Sequence, residues 1–197
     1  MPLNIILCDI NKKITAAWQQ HFEGVENVEV HHGNIFEVEA DALVSPANSF
    51  GFMDGGLDYA ISEFFDWKIQ PRVQAVLQKK HHGELPVGQA EVVETGEKRF
   101  PYLICAPTMR TPADVSQTLN AYLAMRAILI AIRRFNKAHP NAIKSVVIPG
   151  LGTAVGKMPA DRCARQMRAA YDNIVGGHIY HFNSLREARR EERKLLE

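Results

Sequence analysis

The chain has 197 residues, 46% of them apolar, enough for a single domain that buries roughly 70% of its unfolded surface without disulfide or metal staples. Its 23 Lys and Arg against 22 Asp and Glu give a net charge of +1, which excludes an overall field that recruits nucleic acid or an anionic membrane. Three cysteines, Cys8, Cys105 and Cys163, are an odd number, and the first two sit in apolar runs. That usage fits buried, reduced thiols and a cytoplasmic location; the opening residues do not read as a signal peptide, and no apolar run approaches the ~18 residues of a membrane span.

Apolar periodicity switches repeatedly along the chain. "LNIILCDI" (Leu3 to Ile10) and "VEVHHGNI" (Val28 to Ile35) carry strand pattern on either side of the helical "ITAAWQQHF" (Ile14 to Phe22), making one β-α-β unit. "DALVS" (Asp41 to Ser45) predicts a short buried strand. A Gly-rich loop follows, then helical pattern from Leu57 to Lys80 with a break or restart forced by Pro71. "QAEVVET" (Gln89 to Thr95) and "YLICAPT" (Tyr102 to Thr108) read as strands around the turn "GEKRF", and an amphipathic helix fills Ser116 to Ala138. "SVVIPG" (Ser145 to Gly150) is a further strand; the loop "GLGTAVGKMP" leads into a helix near Pro159, a residue favoured in a first turn. "GHIYHF" (Gly177 to Phe182) is expected as the last strand, before a charged helix whose Ser184 and Glu187 have capping-box spacing. Strands alternating with helices throughout imply one three-layer α/β domain with a largely parallel sheet.

In open α/β sheets ligands sit beyond the carboxyl ends of the strands, and both Gly-rich loops directly follow a strand. The second loop misses the Walker pattern, which needs Gly at Leu151 and a hydroxyl at Met158, and the dinucleotide fingerprint, which needs Gly at Val155. What remains is Gly150, Gly152 and Gly156 ahead of a helix, a set that can aim several backbone N–H groups into one concavity and hold anionic oxygens. A plain connecting loop is the alternative, and Lys157 reads equally as a phosphate contact or a solvated helix-entry lysine. In the first loop Asn48 offers donor and acceptor, Asp58 accepts, and Gly55 and Gly56 allow close backbone approach, a combination suited to sugar hydroxyls. The alternative there is an Asn turn followed by an Asp in the first turn of a helix.

"GNIFEVEADALVSPAN", "GGLD" and "VVIPGLGTAVGKMP" together resemble the macro domain family over roughly Val28 to Val175. The resemblance implies a three-layer α/β/α fold with a mixed, largely parallel central sheet. Residues 1–32 then form an additional amino-terminal β-α-β element and residues 184–197 a charged terminal helix. It also implies binding of ADP-ribose or a related nucleotide, with hydrolysis of ADP-ribosyl or O-acyl-ADP-ribose esters in some members, no cofactor, and an ADP-ribosylated protein as a candidate partner. By the same resemblance Asn48 and Asp58, ten residues apart as in hydrolytic members, take the catalytic positions. Asn34 and Ile35 fall at the base-binding element, the Gly55, Gly56 and Leu57 backbone faces the phosphates, and Gly150, Leu151, Gly152, Thr153, Ala154, Val155 and Gly156 cradle the diphosphate and distal ribose.

Three departures bear on specificity. Asn34 stands where the family usually has an Asp that accepts from the adenine amino group. No aromatic occupies the second loop near Ala154 and Val155, which removes a lid over the distal ribose, and "YAISEFF" follows Asp58 in place of small and basic residues. Phe182 can stack on adenine, though a core position suits it better. The His31–His32, His81–His82 and His178–His181 pairs have no carboxylate or thiolate at ligand spacing, so no metal is expected. Two other readings stay open: a non-catalytic ADP-ribose reader, and another α/β nucleotide enzyme such as a methyltransferase, in which Asp9 at the end of "IILCD" meets a ribose.

Overall fold

A computed structural model describes residues 3–197. The chain runs β1 (Asn4–Asp9), α1 (Lys12–His21), β2 (Val28–His32), a single 3-10 turn (Ile35–Glu37), β3 (Ala42–Ser45), α2 (Gly56–Phe64), α3 (Ile69–His81), β4 (Glu91–Glu94), β5 (Tyr102–Cys105), α4 (Asn120–Ala138), β6 (Ser145–Ile148), α5 (Ala160–Ile174) and α6 (Leu185–Leu196). The six strands form one sheet in the order β2-β1-β6-β3-β5-β4. All neighbours are parallel except β4 and β5, which are antiparallel.

Strand alternation divides the core into two. Ile5 and Leu7 of β1 face one side with Val44, Val146 and Ile148, where α1, α4 and α5 bring Trp18, Met125, Ile128 and Met167. Ile6, Cys8, Leu43 and Val147 face the other, against Ile61 of α2 and Ile69, Val73 and Leu77 of α3. Because successive strand side chains point to opposite faces, near-continuous apolar strands have to be covered twice, and the three-layer α/β/α domain is the result. Trp18 is fully buried and its indole N–H meets the Met167 sulfur at 3.3 Å, so its polar edge is not orphaned.

The helical stretch containing Pro71 splits as its sequence requires. Asp66 and Trp67 both take left-handed φ, +50° and +62°, between α2 and α3, and Pro71 then lies in the first turn of α3, where no intrahelical N–H bond is lost. Helix α4 begins at Asn120, four residues later than its apolar pattern suggests, because Val115 to Leu119 are held in turns, with the Val115 carbonyl accepting from the Thr118 N–H at 3.1 Å. Ser184 caps α6 by accepting from the Glu187 N–H at 3.3 Å, while the Glu187 carboxylate reaches back to the Asn183 N–H at 2.9 Å.

One expected strand is absent from the sheet. Gly177 to Phe182 is irregular, with Ile179 68% exposed and Phe182 45% exposed. The place beside β6 belongs to β1, whose Asn4 to Leu7 pair in register with Ser145 to Ile148. The amino-terminal β-α-β element is therefore built into the sheet, with β2 as one edge and β1 between it and β6, and the last apolar alternation lies outside it. Phe182 accordingly neither packs in the core nor reaches the sheet's carboxyl edge; it stacks on Tyr180 with ring centroids 5.5 Å apart.

Candidate functional site

The five parallel strands end on one side of the molecule, and a cavity of about 960 Å³ lies beyond them, within the size range of sites for nucleotide-sized ligands. Of the residues the sequence singled out, Asn34, Ile35, Asn48, Gly55, Gly56, Leu57, Asp58, Gly150, Gly152, Thr153, Ala154, Val155 and Gly156 line it. Leu151 does not: its side chain is fully buried in the α1, α4 and α5 core, and its carbonyl accepts from the Cys163 thiol at 3.4 Å. Lys157 also lies outside the lining and approaches Asp114 at 3.7 Å, which is the solvated-lysine alternative.

The sheet sets the order of groups along the floor. Adjacent strands are about 4.8 Å apart, so Asn34 after β2, Asp9 at the end of β1, Gly150 after β6 and Asn48 after β3 are spread over about 14 Å. Asn34 caps the 3-10 turn, its Oδ1 accepting from the Phe36 N–H at 3.0 Å and leaving its amide N–H groups free of that bond. Phe36 is stacked on Phe64 of α2 at 4.8 Å between centroids, and this pair walls the cavity at the Asn34 end.

The second loop depends on glycine for packing. A Cβ on Gly156 would stand 2.6 Å from the Gly152 carbonyl oxygen and 2.6 Å from a Val115 methyl, and Gly152 itself has φ of +73°. Opposite, Gly55 is the N-cap of α2, so the first N–H groups of that helix have no partner within it and open toward the cavity. The second loop and the amino terminus of α2 thus line the same cavity.

At the far end, Asn48 is largely engaged by its own loop. Its Oδ1 accepts from the Phe50 and Phe52 N–H groups at 3.1 and 3.3 Å, and its Nδ2 donates to the Phe52 carbonyl at 2.7 Å. The Asn-turn alternative is therefore real, and one amide hydrogen remains for anything else. Asp58, in the first turn of α2, is buried and accepts a 2.6 Å hydrogen bond from the Ser45 hydroxyl. Burial pushes its carboxyl up to about 6, opposed by the Ser45 hydrogen bond and assisted by the nearby Asp54 charge. It can therefore gain and lose a proton near neutral pH.

The cysteines provide no nucleophile here. Burial raises all three thiols, Cys8 to about 11 with help from Asp9 and Glu37, and Cys163 to about 12 against its hydrogen bond to Leu151. Among the described residues no three His, Cys, Asp or Glu stand together as a metal site, and no helix is long and apolar enough to cross a membrane. Sequence reasoning did not bring Asn11, Phe52, Asp54, Glu63, Thr108 or Met109 to the cavity, and considered Asp9 only for a different enzyme class. Applying the carboxyl-end rule to every strand, rather than to the two followed by glycines, would have found Asp9 and Thr108. Among the described residues no Lys, Arg or His lines the cavity, whereas Asp9, Asp54, Asp58 and Glu63 do.

Fold and site together define a mainly parallel α/β protein with a cavity lined by two Gly-rich loops at the carboxyl edge of its sheet. The family model for the macro domain matches residues 44–167, well over half of the chain, which belongs to that family. It is 36% identical over 141 residues to an Aquifex aeolicus protein, covering 72% of this chain and 78% of that one. To a macro domain-containing protein of Caldanaerobacter subterraneus it is 27% identical over 157 residues, 78% of this chain and 85% of the relative. Among solved structures, the Oceanobacillus iheyensis macrodomain with ADP superimposes with a TM-score of 0.60 at 17% identity, covering 83% of this chain and 88% of that one. The macrodomain of Mycobacterium tuberculosis DarG gives 0.58 at 22% identity, over 72% and 87%. At these identities the structural likeness is one of fold.

Proposed function

We propose that this chain binds ADP-ribose, or a closely related nucleotide metabolite, along the cleft and hydrolyses an ester at the distal ribose of an ADP-ribosyl or O-acyl-ADP-ribose substrate. The order of groups along the sheet edge carries the reading. An amide at Asn34, a carboxylate at Asp9, the backbone of the Gly150 loop with the α2 amino terminus, and Asn48 with Asp58 follow one another across the cavity. Base, ribose, diphosphate and second ribose follow one another in ADP-ribose. The family membership supports the same ligand, as does the Oceanobacillus iheyensis relative, which was solved with ADP.

Asp58 supports the hydrolytic half, since a buried carboxyl near 6 can take a proton from a water attacking an ester next to the ribose. Ala154 and Val155 leave that end open, with Val155 56% exposed, so a protein bearing the ADP-ribosyl group fits there as substrate. No cofactor is required. Asn48 favours a second reading, binding without turnover, because so much of its side chain is held by Phe50 and Phe52.

Thermal unfolding with ADP-ribose tests the ligand: at 100 times its dissociation constant the stabilisation is about 2.7 kcal/mol, and S-adenosylmethionine gives none. The reverse pattern would transfer the site to a methyltransferase. Release of free ADP-ribose from an ester substrate tests turnover, with Asp58→Ala slowing it by about two orders of magnitude. Equal rates for the two proteins would leave binding alone.

A further inference from the structure

The carboxylate of Asp9 is fixed in the cavity floor from two sides. Its Oδ1 accepts from the Asn11 N–H at 2.9 Å and its Oδ2 from the Gly150 N–H at 3.1 Å, which ties the end of β1 to the first residue of the second Gly-rich loop. A carboxylate has about four acceptor positions, so about two remain while the group lines the cavity. It stands one strand from the Asn34 end, where the Gly33 N–H bonds the Asp9 carbonyl at 3.1 Å, and one strand from Gly150. Its position therefore falls between the base and the diphosphate.

We infer that Asp9 is a specificity-determining residue that accepts hydrogen bonds from the hydroxyls of the base-proximal ribose and rejects a phosphate at that ribose's 2′ position. This rests on the nucleotide reading of the cleft given above. Hydroxyls donate to a carboxylate with charge-assisted strength. A 2′-phosphate brings a charge of about −1.5 to −2 against a fixed negative group, and among the described residues no Lys, Arg or His in the lining compensates it. In other parallel α/β nucleotide sites an acidic residue at the ribose selects the free 2′-hydroxyl, and an Arg is needed to admit the phosphate. The anchoring by Asn11 and Gly150 matters because the carboxylate cannot swing away from the added phosphate without releasing both backbone donors.

The test is calorimetry at one ionic strength with ADP-ribose, its 2′-phosphate and its 2′-deoxy analogue, on the wild-type chain and on Asp9→Asn. The wild type is expected to bind ADP-ribose at least tenfold more tightly than the 2′-phosphate and at least fivefold more tightly than the deoxy analogue. Asp9→Asn, which keeps an acceptor for Gly150, should lower the first ratio at least fivefold. A residue that merely anchors the loop would weaken all three ligands alike and leave the ratios unmoved, which overturns the inference. So does a wild type that binds all three equally, a result that stands even if the variant does not fold. If the wild type binds none of them, the reading of the cleft itself fails, and this inference with it.

Discussion

Asp58→Asn separates the burial of a charge from its use. Asp58 is 8% exposed, and its carboxyl is raised to about 6 from an ordinary 3.8. Between those values the folded state binds the proton more tightly than the unfolded chain, so stability falls as pH rises through the window. Well below 3.8 both states are protonated and the cost vanishes; well above about 6 both are ionised and the folded state bears all of it. A shift of about two units corresponds to about 3 kcal/mol. Asparagine removes the titration while still accepting from Ser45. Its buried amide adds a cost of about 1–3 kcal/mol, but that cost does not change with pH, so the quantity to read is the difference between two pH values. Urea unfolding of both proteins at pH 4 and pH 8 should show Asp58→Asn gaining about 3 kcal/mol relative to wild type on going to the higher pH, with unchanged m-values. In thermal unfolding the same gain is about 6–12 °C. The variant should at the same time lose ester turnover, a stability–activity trade-off. A stability difference that is the same at both pH values would refute the argument, because no buried charge would then be present to relieve.

Three further outcomes are expected. Asn34→Asp should keep the cap on the Phe36 N–H and tighten adenine nucleotides about fivefold, since a charged acceptor bonds the amino group more strongly. An inosine analogue should weaken instead, and calorimetry showing neither change would remove Asn34 from the base. Gly156→Ala places a methyl 2.6 Å from the Gly152 carbonyl and should cost about 1–3 kcal/mol together with ADP-ribose binding, read by urea unfolding and titration; an unaffected variant would mean that the loop is not packed as described. Ile179→Ser, at a residue 68% exposed, should change stability by no more than about 0.5 kcal/mol, whereas a loss of about 2 kcal/mol or more would put this segment back in the sheet.

Local features are written in the chain itself. The short apolar runs of "NIILCD" and "SVVI" and the helical period of Asn120 to Ala138 are set by neighbouring residues alone, so the strands and helices were legible without the fold, apart from the expected Gly177 to Phe182 strand. So were the two Gly-rich loops, because glycine and asparagine act on the backbone where they stand. Tertiary structure decided which strands pair. "GHIYHF" and "NIILCD" both carry strand pattern, but β6 has only two sides, and β3 takes one and β1 the other; strand pairing between distant segments leaves no trace in the local pattern of either. The same holds for the site. Nothing around Asp9 in the sequence indicates that its carboxylate will accept from Gly150, 141 positions away. Nor does the sequence around Asp58 show that burial will lift its carboxyl toward neutrality in spite of the Ser45 hydrogen bond, because desolvation is set by what the fold packs around a group.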